Sequence, residues 1–161
     1  MQNTIIRNAT SADSLAITEL TAQLGYPADH AAIQKRIDQI NSMQDHILLV
    51  ASMDGTVGGW MQACSCQTLD SGFRVEILGL VVAENSRRSG LGKTLVAAAE
   101  QWAASIGADI VIVRSNIKRD ESHRFYPAIG SITSKTQVLY RKTITSAACH
   151  VAAQPSSPLA R

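Results

Sequence analysis

Arg87, Gly90 and Gly92 stand in the spacing Arg-x-x-Gly-x-Gly, and Arg88 and Lys93 crowd the same turn with positive charge. Before them, Val75 to Val82 is a run of β-branched and aliphatic residues that reads as a buried strand, followed by a polar loop, Glu84 to Ser89. After them, Gly90-Leu91-Gly92-Lys93-Thr94 opens an Ala-rich helix, Leu95 to Ile106, that closes at Gly107. Strand, Gly-rich turn and helix N-terminus together make an anion site. The first helical turn has unpaired N–H groups and the positive end of the dipole, and glycine lets a phosphate reach the backbone. The expected guest is a pyrophosphate lying along Arg87, Arg88, Ser89, Gly90, Leu91, Gly92, Lys93 and Thr94. Two familiar phosphate loops fail on counting. A Walker A loop ending at Gly92-Lys93-Thr94 needs glycine where Arg87 stands, and a dinucleotide fingerprint from Gly90 needs glycine where Leu95 stands.

Glu76 is a carboxylate inside an otherwise apolar strand. Burial makes a carboxylate a better proton acceptor, so Glu76 is a candidate general base; the alternative is a structural ion pair with Arg74 or Arg114. His123 is an alternative base candidate, although beside Arg124 on an exposed helix a surface residue is the preferred reading. Cys64 and Cys66 sit two apart on one strand face, but no Cys/His pair at ligand spacing completes a metal site, and His30 and His46 do not supply one. No metal is expected, and packing is the preferred role for both thiols. Cys149 falls in the tail, so nothing points to a covalent acyl-cysteine.

These residues need a frame. Thr4 to Arg7 reads as a strand, and Ser11-Ala12-Asp13-Ser14 offers a cap to a helix spaced by Leu15, Ile17, Leu20 and Leu24. Gly25-Tyr26-Pro27 ends that helix, and a second runs from Asp29 to about Met43. His46 to Met53 and Thr56 to about Leu69 form a hairpin about Asp54-Gly55, and Asp70-Ser71-Gly72 turns into the central strand. Beyond the long helix, Ala108 to Ser115 reads as a strand and Asp120-Glu121-Ser122 starts a short helix. Gln137 to Ile144 alternates as a closing strand. The order is β-α-α-β-β-β-α-β-α-β, a mixed sheet with helices on both faces.

With 161 residues and 45% hydrophobic content, one domain over residues 1–145 is expected, with an Ala-, Ser- and Pro-rich flexible tail at 146–161. A net charge of +2 gives no bulk reason to expect nucleic acid. No apolar run approaches the ~20 residues of a membrane span, and Met1-Gln2-Asn3-Thr4 lacks a signal-peptide core, so a cytoplasmic location is expected. Three cysteines, an odd number, argue against a disulfide scaffold.

The Arg87-x-x-Gly90-x-Gly92 loop between its strand and helix, with Ser122-His123-Arg124-Phe125-Tyr126 and Gly130 further on, resembles the Gcn5-related N-acetyltransferase (GNAT) superfamily. The likeness spans roughly Thr4 to Ile144. It implies an α+β or α/β fold with a mixed, mostly antiparallel sheet of about six to seven strands flanked by about four helices. Two departures touch the packing near the coenzyme's exit: Ser131 stands where an aromatic is usual, and Pro127 directly follows the tyrosine.

The resemblance further implies acetyl-CoA as co-substrate, its pyrophosphate on the loop and Asn116 against its pantetheine side. It places Tyr126 beside the coenzyme sulfur as general acid, and Glu76 in the register of a catalytic glutamate. It also implies a splay in the central strand at Leu80, Val81 and Val82, where a backbone N–H stabilises the oxyanion and main-chain groups pair with pantetheine. The early helical pair would shape the acceptor pocket near Tyr26 and Asp29, residues that a helix stop and an N-cap explain as well.

The implied reaction is direct acetyl transfer in a ternary complex to a primary amine of a small molecule: an aminoglycoside-like antibiotic, a polyamine or an amino-acid derivative. A protein lysine or N-terminal amine is the runner-up acceptor, and a non-catalytic acyl-CoA sensor is the reading from another class. Asp29, Asp70, Glu76 and Glu84 could line a pocket for a cation. A homodimer is compatible with all of this.

Overall fold

A computed structural model describes residues 4–144. The strands are β1 (Thr4–Asn8), β2 (His46–Met53), β3 (Thr56–Thr68), β4 (Gly72–Val82) and β5 (Val111–Val113); the helices are α1 (Ser14–Gln23), α2 (His30–Asn41), α3 (Leu91–Ser105) and α4 (Asp120–Ala128). One sheet runs in the order β1-β2-β3-β4-β5. Neighbours are antiparallel except β4 and β5, which are parallel. A parallel pair needs a crossover, and α3 supplies it.

The sheet is buried on both faces because β2, β3 and β4 carry apolar residues in both alternating sets. Ala51, Met61, Ala63, Val75 and Ile77 pack under Leu91, Leu95 and Ala99 of α3. Leu48, Val50, Trp60 and Val81 face Ile17 and Leu20 of α1 and Ile33 and Ile37 of α2. Each large aliphatic side chain so buried contributes about 1.5–3 kcal/mol. The first turn of α3 lies very close to β3, since a Cβ on Gly58 would come within 2.9 Å of Leu91 Cδ1. Entry to α1 is fixed by Asp13, which accepts the Thr10 N–H at 2.8 Å and takes both Arg7 guanidinium nitrogens at 2.7 Å. Arg7 holds the Asp13 carboxyl below its ordinary range, chiefly through that hydrogen bond.

Two features of β4 shape everything downstream. Its register with β3 shifts between Gln62 and Ala63, which pair with Gly79 and Ile77 and leave Leu78 as an extra, bulged residue. Its pairing with β5 covers only Val75 to Ile77. From Leu78 onward the two strands part.

The expected sheet of six to seven strands is corrected to five among the described residues, and the expected strand at Gln137 to Ile144 is absent. Val138, Leu139 and Tyr140 are exposed there. Alternation supplies a face to bury but no edge to pair with, and β5, shorter than its Ala108-to-Ser115 run suggested, offers only three residues. The tail from 146 and Cys149 lie outside the described residues.

Candidate active site

The site is a fork whose arms are β4 and the segment running from β5 into α4. Ala83 N–H donates to Gly58 O at 2.8 Å across the β3 side. Antiparallel backbone groups alternate in direction, so Val81 also turns its N–H and C=O to β3, and Leu80 and Val82 turn theirs outward into the fork. Their side chains pack on the α3 face, and Val81 is buried on the other. The splay expected at Leu80 to Val82 is present and begins at Leu78.

Beyond β4, a 3-10 turn (Glu84–Ser86) leads to Arg87, and the chain reverses through Arg88 at φ 63° and Gly90 at φ 93°. Gly90 is the N-cap of α3 and has no side chain to answer the helix. Its carbonyl accepts the first helical bond, from Thr94 N–H at 3.0 Å, so the N–H groups of Leu91, Gly92 and Lys93 precede the intrahelical ladder. Ser89 Oγ donates to Ser86 O at 2.6 Å, which closes the turn on itself. Lys93 and Arg88 are exposed beside it. Arg87 is held differently: its guanidinium meets Glu121 of α4 at 3.0 Å and Glu84 at 3.9 Å, so it ties the turn to α4.

α4 brings the aromatic pair. Phe125 lies over the first turn of α3, where a Cβ on Gly92 would come within 3.2 Å of its ring. Tyr126 meets Phe125 edge-on at 5.1 Å and packs against the core under α3. Burial pushes its phenol up to about 12, with the Arg119 charge pulling the other way, so Tyr126 carries its proton at physiological pH.

On the opposite face of the sheet, Glu76 is 7% exposed and forms a tight ion pair with Arg114. Of the two partners the sequence offered, Arg74 instead donates to Thr68 Oγ1 at 2.7 Å. Cys64 stands opposite Glu76 on β3 and His46 opposite Cys64 on β2. Burial raises the Cys64 thiol, which keeps it protonated and unreactive. Among the described residues no group of His, Cys, Asp and Glu could hold a metal.

The remaining candidates separate. Asn116 Oδ1 accepts the Lys118 N–H at 3.0 Å in the loop after β5. The His123 Nε2 faces the Asn116 and Ile117 carbonyls at 3.2 Å, where only an N–H donor fits, so that nitrogen is engaged with the loop after β5. Asp29 caps α2 by accepting the Ala32 N–H at 3.2 Å. Asp70 and Glu84 flank opposite ends of β4 and cannot line one pocket with Asp29 and Glu76. A cavity of about 500 Å³ does gather Glu19, Asp54 and Glu84, but beside the exit of β4, away from Glu76. No helix among the described residues is long and apolar enough to cross a membrane.

The profile of the acetyltransferase (GNAT) family matches residues 15–130, and the chain belongs to that family. It is therefore an acyltransferase. Aminoglycoside N(6')-acetyltransferase type 1 of Serratia marcescens is 25% identical over 127 residues, covering 74% of this chain and 84% of the relative. Aminoglycoside N-acetyltransferase AAC(6')-Iy, solved in complex with CoA, superposes with a TM-score of 0.80 at 21% identity, covering 89% of this chain and 97% of that one. A transcriptional regulator from Bacillus halodurans C-125 superposes with a TM-score of 0.79 at 21% identity, covering 87% and 100%.

Proposed function

We propose that this acyltransferase moves the acetyl group of acetyl-CoA to a primary amine of a small molecule by direct transfer in a ternary complex, with aminoglycoside-type antibiotics as the leading acceptor class. The observation that carries the reading is the pairing of an open strand edge at Leu80 and Val82 with the unanswered N–H groups of Leu91, Gly92 and Lys93. An extended amide-bearing chain that ends in a pyrophosphate fits both. The acceptor class is supported by the names of the Serratia marcescens relative and of the CoA-bound neighbour.

Acetyl-CoA supplies the activated thioester. A free amine has a pKa of roughly 10 and must lose a proton before attack. Glu76 receives it, directly or through water, while Arg114 fixes the orientation of the carboxylate. A fork-facing N–H of Leu80 or Val82 answers the oxyanion, and one such donor contributes about 3–4 kcal/mol in other enzymes. Tyr126 gives its proton to the departing thiolate.

Incubation with acetyl-CoA and a panel of aminoglycosides, polyamines and lysine peptides, followed by free thiol, tests the function. Release with an aminoglycoside at a kcat/KM above the other amines supports it, and binding without release with any amine would mark a sensor. Glu76→Gln keeps the shape and removes the charge. It is expected to lower kcat about a hundredfold with little change in Tm. A fall in Tm with kcat retained would instead assign Glu76 to the ion pair alone.

A further inference from the structure

The C-terminal end of α1 is fastened to both arms of the fork. Gln23 Oε1 accepts the Glu84 N–H at 3.3 Å, just past β4. Arg119, the residue before α4, donates from Nη2 to Leu24 O at 2.9 Å, across 95 positions of sequence. Its guanidinium also lies over the Tyr26 ring, 6.0 Å from the centroid.

We propose that Arg119 is a positioning residue that clasps the loop between α1 and α2 to the helix carrying Tyr126, and so holds the wall against which the acceptor amine is presented. The proposal rests on the fork being the site of acetyl transfer. The physical case is local. Leu24 ends α1, where the last carbonyls lack helical partners and the dipole is negative, so a cation there is doubly favoured. Tyr26 is 61% exposed and has little else to fix it, so a guanidinium over its face selects one orientation. The same charge also acts on the half-buried Tyr126 phenol, so Arg119 stands near both the loop between α1 and α2 and the proposed acid. Lysine could supply the charge but not the planar stacking surface.

The test uses Arg119→Ala and Arg119→Lys with readouts that separate the two ideas. Hydrogen exchange in the free protein reads the clasp without any turnover. The Gly25 and Tyr26 amides donate to Ala22 O at 2.9 Å and Thr21 O at 3.2 Å, so their protection reports on the loop. The alanine variant should speed exchange at both about tenfold and raise acceptor KM by a similar factor, with kcat and acetyl-CoA affinity changed much less. The lysine variant should recover part of each effect. Unchanged exchange at Gly25 and Tyr26 overturns the clasp, as does faster exchange spread evenly over α1, α2 and α4. Faster loop exchange with an unchanged acceptor KM overturns the acceptor role. A wild-type protein that turns over no amine sinks the acetyl-transfer reading and that role with it, leaving the exchange result to decide the clasp.

Discussion

Replacing Tyr126 by phenylalanine is expected to lower kcat at neutral pH about a hundredfold, with acetyl-CoA affinity unchanged within about a factor of two. The phenol is half-buried beside the Phe125 ring and burial pushes it up to about 12, so at pH 7 it carries the proton that the proposed acid must supply. A leaving thiolate has a pKa near roughly 8.5, so protonating it eases departure. Phenylalanine keeps the ring and its packing, which separates the proton from the core. Stopped-flow release of free thiol, with a parallel binding titration, measures both quantities, and full activity in the variant would remove Tyr126 as the acid. The same burial predicts an alkaline effect on stability. The folded-state value lies above the ordinary 10.0, so the unfolded chain releases the proton first. The Tyr126 contribution is complete below pH 10 and is lost as pH rises toward 12, and Tm of the wild type should fall more steeply there than Tm of the variant.

Gly90→Val is expected to weaken acetyl-CoA binding about tenfold or more. Gly90 sits at φ 93°, in the left-handed region that a β-branched residue occupies only under strain. No atom lies within 4 Å of a Cβ built there, so the cost is conformational and the turn would relax by moving its N–H groups off line. Strain of ~1–3 kcal/mol corresponds to roughly a fivefold to 150-fold loss when the bound state needs the strained geometry. Gly107→Val is the control, since φ there is 78° at the far end of α3. It should lower Tm without changing coenzyme affinity. Calorimetric titration of both variants decides the matter, and equal affinities would move the pyrophosphate elsewhere.

The parts legible in sequence are the ones set by short spacings. The turn from Arg87 to Lys93, the helix behind it and the Phe125-Tyr126 pair are each encoded within a few residues, and the structure holds them as a local reading anticipates. Pairings decided by register were not legible. Arg74 and Arg114 looked equivalent as partners of Glu76, and only the alignment of β4 with β5 selects Arg114. The bulge at Leu78 is marked only by the neighbouring Gly79, because an extra aliphatic residue in an apolar run leaves the pattern nearly unchanged. Arg87 read as a phosphate ligand, and its ion pair with Glu121 depends on where α4 docks. The closing strand failed for the opposite reason: Gln137 to Ile144 has the alternation, but a strand also needs a free edge long enough to receive it.

A crystal of the protein with acetyl-CoA tests the central claim most directly. The diphosphate oxygens should lie about 3 Å from the amide nitrogens of Leu91, Gly92 and Lys93, with the pantetheine arm running along Leu80 and Val82 toward Tyr126. An ordered coenzyme bound elsewhere, with this turn empty, would contradict the account.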